Sequence, residues 1–171
     1  MPRYVAFLRG VSPMNLKMPE LKKCLEQEGF TDVVTVLSSG NAVFDSRGAD
    51  NEALERRIEK ATEQRLGRGF STIVRSVSEL QKMLDSDPFS EFKLGPKDKR
   101  VVTFFKKTAP RGIKLPVQKD EASILKIQGR EAFSAYQPSP GNPVFMVLIE
   151  KTFGNEITTR TWDTVRKCVS K

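Results

Sequence analysis

The sequence predicts an α+β protein of two subdomains, the first ferredoxin-like (βαββαβ) and the second a smaller sheet with helices. Three observations carry this. The first 76 residues alternate β-prone runs and helical periodicities in the order β-α-β-β-α-β, the split βαβ arrangement. The β signal then returns near Arg100 and closes on two helices. Finally, 38% hydrophobic residues in 171 suffice for a core without metals or disulfides, while no apolar run nears the roughly 18 residues of a membrane span. The expected units are residues 1–76 and 77–171, the second packed on the first.

Tyr4-Val5-Ala6-Phe7-Leu8 is almost wholly apolar, as a central strand is. Pro19 suits a first helical turn, and Gly29 suits its end, with Leu21, Cys24 and Leu25 at helical spacing between them. Cys24 lies on that apolar side, where a small core residue is expected and a nucleophile is not. Val33–Leu37 and Ala42–Phe44 read as strands joined by the turn Ser38-Ser39-Gly40-Asn41. Asp50 stands where it would cap a helix reaching Leu66, with Leu54, Ile58 and Ala61 on one face. Gly67 and Gly69 end that helix, and Ser71–Arg75 is the fourth strand. In this topology the Gly10–Met18 loop and the Ser38–Asn41 turn lie at the same end of the sheet.

Ser78 opens a short helix, with Gln81 placed for a capping box, and Asp87-Pro88 breaks it. Val101–Phe105 is a strand, and Ser123–Ile127 pairs with Ala132–Gln137 through Gln128-Gly129-Arg130. Pro138–Pro143 is the most disrupted stretch. Helices follow over Val144–Phe153 and from about Thr161, where Trp162, Val165 and Val169 share a stripe.

Composition narrows the chemistry. The chain has no histidine, which excludes Ser-His-Asp and Cys-His relays, histidine metal ligands and histidine acid–base work. Two distant cysteines fit a reducing cytoplasm and argue against zinc. No metal, cofactor or catalytic motif is indicated, and the balance leans away from an enzyme. The net charge of +8 is concentrated: residues 93–130 hold 11 basic and three acidic side chains. Such a stretch is either a solubilising face or an attractor of nucleic acid or another polyanion, through Lys106, Lys107, Arg111 and Lys114. An RNA-recognition sheet is disfavoured, because Gly40–Asp45 offers one aromatic residue, not several.

Two further clusters are candidates. Arg9, Asn15 and Lys17 beside Ser38, Ser39 and Asn41 form either a polar cradle or two turns that brace each other; the glycine pattern of a phosphate loop is absent. Arg160, with Thr158 and Thr159, either meets a carboxylate of its own chain beside a capped helix or receives an anion.

Three segments together resemble the DUF1697 family: Tyr4–Gly10 with Lys17-Met18 and Leu21; Gly29–Val33 leading into Ser39–Phe44; and Thr158–Val165. The resemblance implies a bacterial-type protein of two α+β subdomains with ferredoxin-like character. The family loop after Arg-Gly usually reads Ile-Asn-Val-Gly-Gly, where this chain has Val11-Ser12-Pro13-Met14-Asn15. Asparagines are usual where Thr161 and Asp163 stand. The family has no assigned activity, so the resemblance implies a fold and not a function. The expected role is binding of an anionic partner. The alternative is a small-molecule site or enzyme between the 10–17 and 38–41 loops, and a homo-oligomer stays open.

Overall fold

The computed structural model describes residues 1–138 and 143–171; residues 139–142, within the Pro138–Pro143 stretch, lie outside the described residues. The protein is α+β, with two antiparallel sheets. It divides into two compact units, Met1–Asp85 with Thr164–Lys171, and Ser86–Asp163. Among the described residues no helix is long and apolar enough to cross a membrane.

The first unit contains β1 (Arg3–Leu8), α1 (Met18–Gln27), β2 (Thr31–Val36), β3 (Asn41–Asp45), α2 (Asn51–Leu66), β4 (Thr72–Ser76) and α3 (Val77–Ser86). Its sheet runs β2-β3-β1-β4 with every neighbour antiparallel. The two-residue period of β1 sends Tyr4, Ala6 and Leu8 into one core with Leu21, Leu25, Leu54 and Ile58 of the helices. Val5 and Phe7 point the other way, opposite Val43 and Ile73, and these are buried as well. Burial on both faces explains the unbroken apolar run. Tyr4, Phe7 and Phe44, the aromatic residues of β1 and β3, are all buried and so not offered to stacking bases.

Helix α1 ends in a Schellman motif written by Glu28-Gly29-Phe30. The Phe30 N–H donates to the Leu25 carbonyl at 3.2 Å and the Gly29 N–H to that of Glu26 at 3.0 Å. Gly29 adopts φ +102°, and Phe30 turns into the core against Phe44, ring centroids 4.5 Å apart. Asp50 occupies the N-cap position of α2 but makes no side-chain cap bond.

The capping box of α3 sits two residues before the expected Ser78 and Gln81. The Glu79 N–H donates to the Ser76 hydroxyl at 3.0 Å, and the Ser76 N–H donates to Glu79 Oε1 at 2.9 Å. Gln81 instead donates to Asp85 one turn on. Burial pushes the Glu79 carboxyl up, but hydrogen bonds from Asn51 and Ser76, with the Arg75 charge, outweigh this and hold it below its ordinary value. A depressed carboxyl contributes stability above its unfolded pKa, near 4.3, and loses it as pH falls through the lower folded value. Glu79→Gln is therefore expected to cost stability at neutral pH and nothing at the acid end, read as converging urea midpoints. Ser76→Ala is expected to cost about 1 kcal/mol.

The second unit begins with a 3-10 turn, Pro88–Glu91, followed by β5 (Lys99–Phe105), β6 (Val117–Lys119), β7 (Ala122–Gln128), β8 (Glu131–Tyr136), α4 (Val144–Phe153) and β9 (Ile157–Thr161). The sheet order is β6-β7-β8-β5-β9. One face carries Val101, Phe105, Ile124 and Ala132 beneath Phe145, Leu148, Ile149 and Phe153 of α4. Strand β9 was not expected: Ile-Thr-Thr-Arg-Thr lacks an apolar–polar alternation, and its strand character comes from pairing with the distant β5. Helix α5 (Trp162–Val169) follows it directly.

Candidate functional site

The two loops of the first unit do meet at one end of its sheet. The Leu8 N–H donates to the Gly40 carbonyl at 2.9 Å, and Val11 lies so close over Gly40 that an added Cβ would stand 2.8 Å from Val11 Cγ2. The two asparagine side chains are turned inward to their own turns. Asn15 Oδ1 accepts from the Ser12 N–H at 2.9 Å, and its Nδ2 donates to the Gly10 carbonyl at 2.8 Å. Asn41 is fully buried, and its Nδ2 donates to the Val36 carbonyl and to the Ser39 hydroxyl, each at 2.9 Å. Lys17, Ser38 and Ser39 are exposed, and Arg9 is half-buried with its N–H on the Ser71 carbonyl.

Thr158, Thr159 and Arg160 lie in β9, the strand that runs directly into α5. They face Phe104, Thr103 and Val102 of β5 in register. The pleat therefore puts Thr158 and Arg160 on one face and Thr159 on the other, where its hydroxyl reaches Met146 Sδ at 3.8 Å. Thr158 is buried, and Arg160 Nη1 donates to the Thr159 carbonyl at 2.8 Å. The three side chains do not converge. Trp162 is buried, edge-on to Phe89 and Phe133 at 5.0 and 6.2 Å between ring centroids.

The basic stretch is divided by β5, whose seven residues span roughly 20 Å. Lys93, Lys97, Lys99 and Lys119 belong to the end where β5 begins, because Lys99 pairs with Tyr136, and Tyr136 with Ala122, which Lys119 opposes. Lys106, Lys107, Arg111 and Lys114 belong to the other end, in the connection from β5 to β6. There the β7–β8 turn joins them: the Phe105 N–H donates to the Arg130 carbonyl, and Arg130 Nη2 donates to the Lys106 carbonyl.

That connection has an internal pattern. Ala109, Ile113 and Leu115 pack onto the core beneath α4, while Lys107 before them and Arg111 and Lys114 between them are exposed. Lys106 is half-buried, its N–H on the Glu156 carbonyl. Lys107 stands 3.5 Å from Glu156 Oε1, an exposed pair of little energetic weight. Among the described residues Arg111 and Lys114 have no carboxylate within ion-pair distance. The apolar anchors were legible as hydrophobic residues in sequence, but their alternation with the cations is too irregular to name a strand or helix face.

Both cysteines are buried, and burial pushes the Cys24 thiol up, against a smaller opposing pull from Arg65 and with a further push from Glu28. A protonated, enclosed thiol is a core residue. Among the described residues no group of three or more Cys, Asp and Glu side chains is placed to hold a metal ion.

No curated protein matches the chain. A solved structure, that of the conserved bacterial protein SP0830 from Streptococcus pneumoniae, superposes with a TM-score of 0.70 over 99% of this chain and 97% of that one. At 18% identity this shows a shared fold alone. A family model described as a protein of unknown function, DUF1697, matches residues 1–133. With most of its length matched, the chain belongs to the DUF1697 family.

Proposed function

We propose that this protein binds an anionic partner through the β5–β6 connection, and that it acts by binding and not by catalysis. The observation that carries the reading is the build of that segment. Ala109, Ile113 and Leu115 fix its backbone on the core, so Lys107, Arg111 and Lys114 are presented outward on a held frame. Holding the frame reduces the ordering that binding would otherwise demand. Three or four cations within nine residues suit successive phosphates of a nucleic acid, whose release of counterions supplies the affinity. We read the 10–17 and 38–41 loops as a brace, since both asparagines are engaged within them. The sheet order β2-β3-β1-β4 supports a ferredoxin-like reading of the first unit. A cytoplasmic setting fits the two free thiols.

The test is fluorescence anisotropy with a labelled single-stranded RNA and a duplex DNA over a salt series. Binding at low salt should weaken linearly in log–log form. The triple variant Lys107→Gln, Arg111→Gln and Lys114→Gln should lower the slope by about 2 to 3 units, at roughly 0.7–0.9 per phosphate contact. An absence of affinity at low salt, or an unchanged slope and affinity in the triple variant, would sink the reading.

A further inference from the structure

The first unit has a cavity of about 330 Å³ lined by Met1, Gly29, Asp45, Ser46, Arg47 and Arg57. We infer that it is a second, separate anion site, taking the phosphoryl group of a small phosphorylated molecule on Arg47 and Arg57.

One wall follows from the way α1 ends. The Schellman turn brings Phe30 under Arg57, whose guanidinium carbon lies 4.3 Å from the ring centroid. Arg57 Nη2 donates to the Glu28 carbonyl at 2.7 Å, and Nε stands 3.5 Å from Glu28 Oε1. Ring, carbonyl and carboxylate together set the plane of the guanidinium. Gly29 leaves the approach clear, since a Cβ there would meet Arg57 Nη2 at 3.5 Å on a backbone of φ +102°.

The other wall is the end of β3 and the residues after it. Asp45 would repel an anion, but Arg3 Nη1 holds it at 2.9 Å and also stands 3.3 Å from Asp32 Oδ2. Arg3 Nε and Nη2 are buried without an acceptor, so this guanidinium brings more donor capacity than its carboxylates use. Arg47 is exposed, with no carboxylate within ion-pair distance among the described residues. The carboxylates at this site thus already face arginines, and Arg47 is left over. The volume is at the lower bound for small-molecule pockets, about 300 Å³. Arg47 offers a whole planar donor fork and Arg57 its remaining Nη1 edge, since Nη2 and Nε already face Glu28, a set of donors that suits the several oxygens of a phosphoryl group.

Calorimetric titration of the full chain in phosphate-free chloride buffer tests the site, with glucose 6-phosphate, inorganic phosphate and glucose as probes. Glucose 6-phosphate should bind saturably, inorganic phosphate more weakly and glucose not at all. Arg47→Gln, at an exposed position, should weaken glucose 6-phosphate by about tenfold or more, and Arg47→Lys by less, because the fork is lost but the charge kept. The Lys107, Arg111 and Lys114 triple variant should bind it as the parent does, which separates this site from the polyanion surface. Arg57→Lys, with folding checked by circular dichroism, supplies a second test, because Arg57 also holds the end of α1. The inference is overturned if neither phosphate probe saturates, if glucose binds equally well, or if the folded Arg47 and Arg57 variants keep the parent affinity.

Discussion

Gly40→Ala is expected to destabilise the protein by about 2–5 kcal/mol, from overpacking of about 1–3 and a left-handed backbone costing about 1–2 for a residue with a Cβ. Gly40 sits at φ +90°, and an added Cβ would lie 2.8 and 2.9 Å from Val11 Cγ2 and Cβ and 3.2 Å from Leu8 Cβ. The Leu8 N–H on the Gly40 carbonyl ties that backbone to β1, so the turn cannot retreat without losing a bond of the sheet. For a chain of this size the loss corresponds to roughly 2–4 °C in Tm per kcal/mol. A double-mutant cycle with Val11→Gly distinguishes the clash from the backbone term. Removing the Val11 side chain relieves the first and not the second, so the double variant should be more stable than the sum predicts, by about 1 kcal/mol or more. A Gly40→Ala variant within about 0.5 kcal/mol of the parent, or strict additivity with Val11→Gly, would contradict the packing described here.

Gly40 also shows where the sequence stops being legible. A Ser-Ser-Gly-Asn run between two apolar runs announces a turn, and the βαββαβ order places that turn beside the Gly10–Met18 loop. Both follow from local composition and topology. The Val11 contact is tertiary and has no local signature. The α3 cap is ambiguous for a different reason: Ser76 with Glu79 and Ser78 with Gln81 both satisfy the spacing, and the place where β4 ends chooses the first. Strand β9 stayed hidden because Thr158, Thr159 and Thr161 serve equally well as caps or as β-branched strand residues, and only pairing with β5, more than 50 positions earlier, decides. The basic stretch was visible as a count along the chain, but β5 carries its cations to opposite ends of a sheet. Arg47 and Arg57 gave no signal at all. What joins them is a helix-terminating turn and the end of a strand, brought together only by the fold.

Trp162→Ala is expected to cost about 3–5 kcal/mol, the usual penalty for truncating a buried large aromatic. The indole is 4% exposed and meets Phe89 and Phe133 edge-on, at interplanar angles of 80° and 81°, contacts that add about 0.5–1.5 kcal/mol each beyond area burial. It stands at the step from β9 into α5, so it fixes the end of a strand as well as the start of a helix. Trp162→Phe keeps an aromatic edge in the cluster and should lose roughly half as much or less. Because Trp162 is the chain's one tryptophan, its emission reports on that cluster: blue-shifted in the native protein, and red-shifted in the same urea transition that circular dichroism follows. The same variants separate structure from recognition at the Thr-Thr-Arg-Thr-Trp stretch. If the stretch serves packing, Trp162→Phe retains the parent's oligonucleotide and glucose 6-phosphate affinities while its unfolding midpoint falls. Loss of either affinity at unchanged stability would instead make Trp162 a contact for the partner, and a Trp162→Ala penalty below about 1 kcal/mol would exclude the packing role against Phe89 and Phe133.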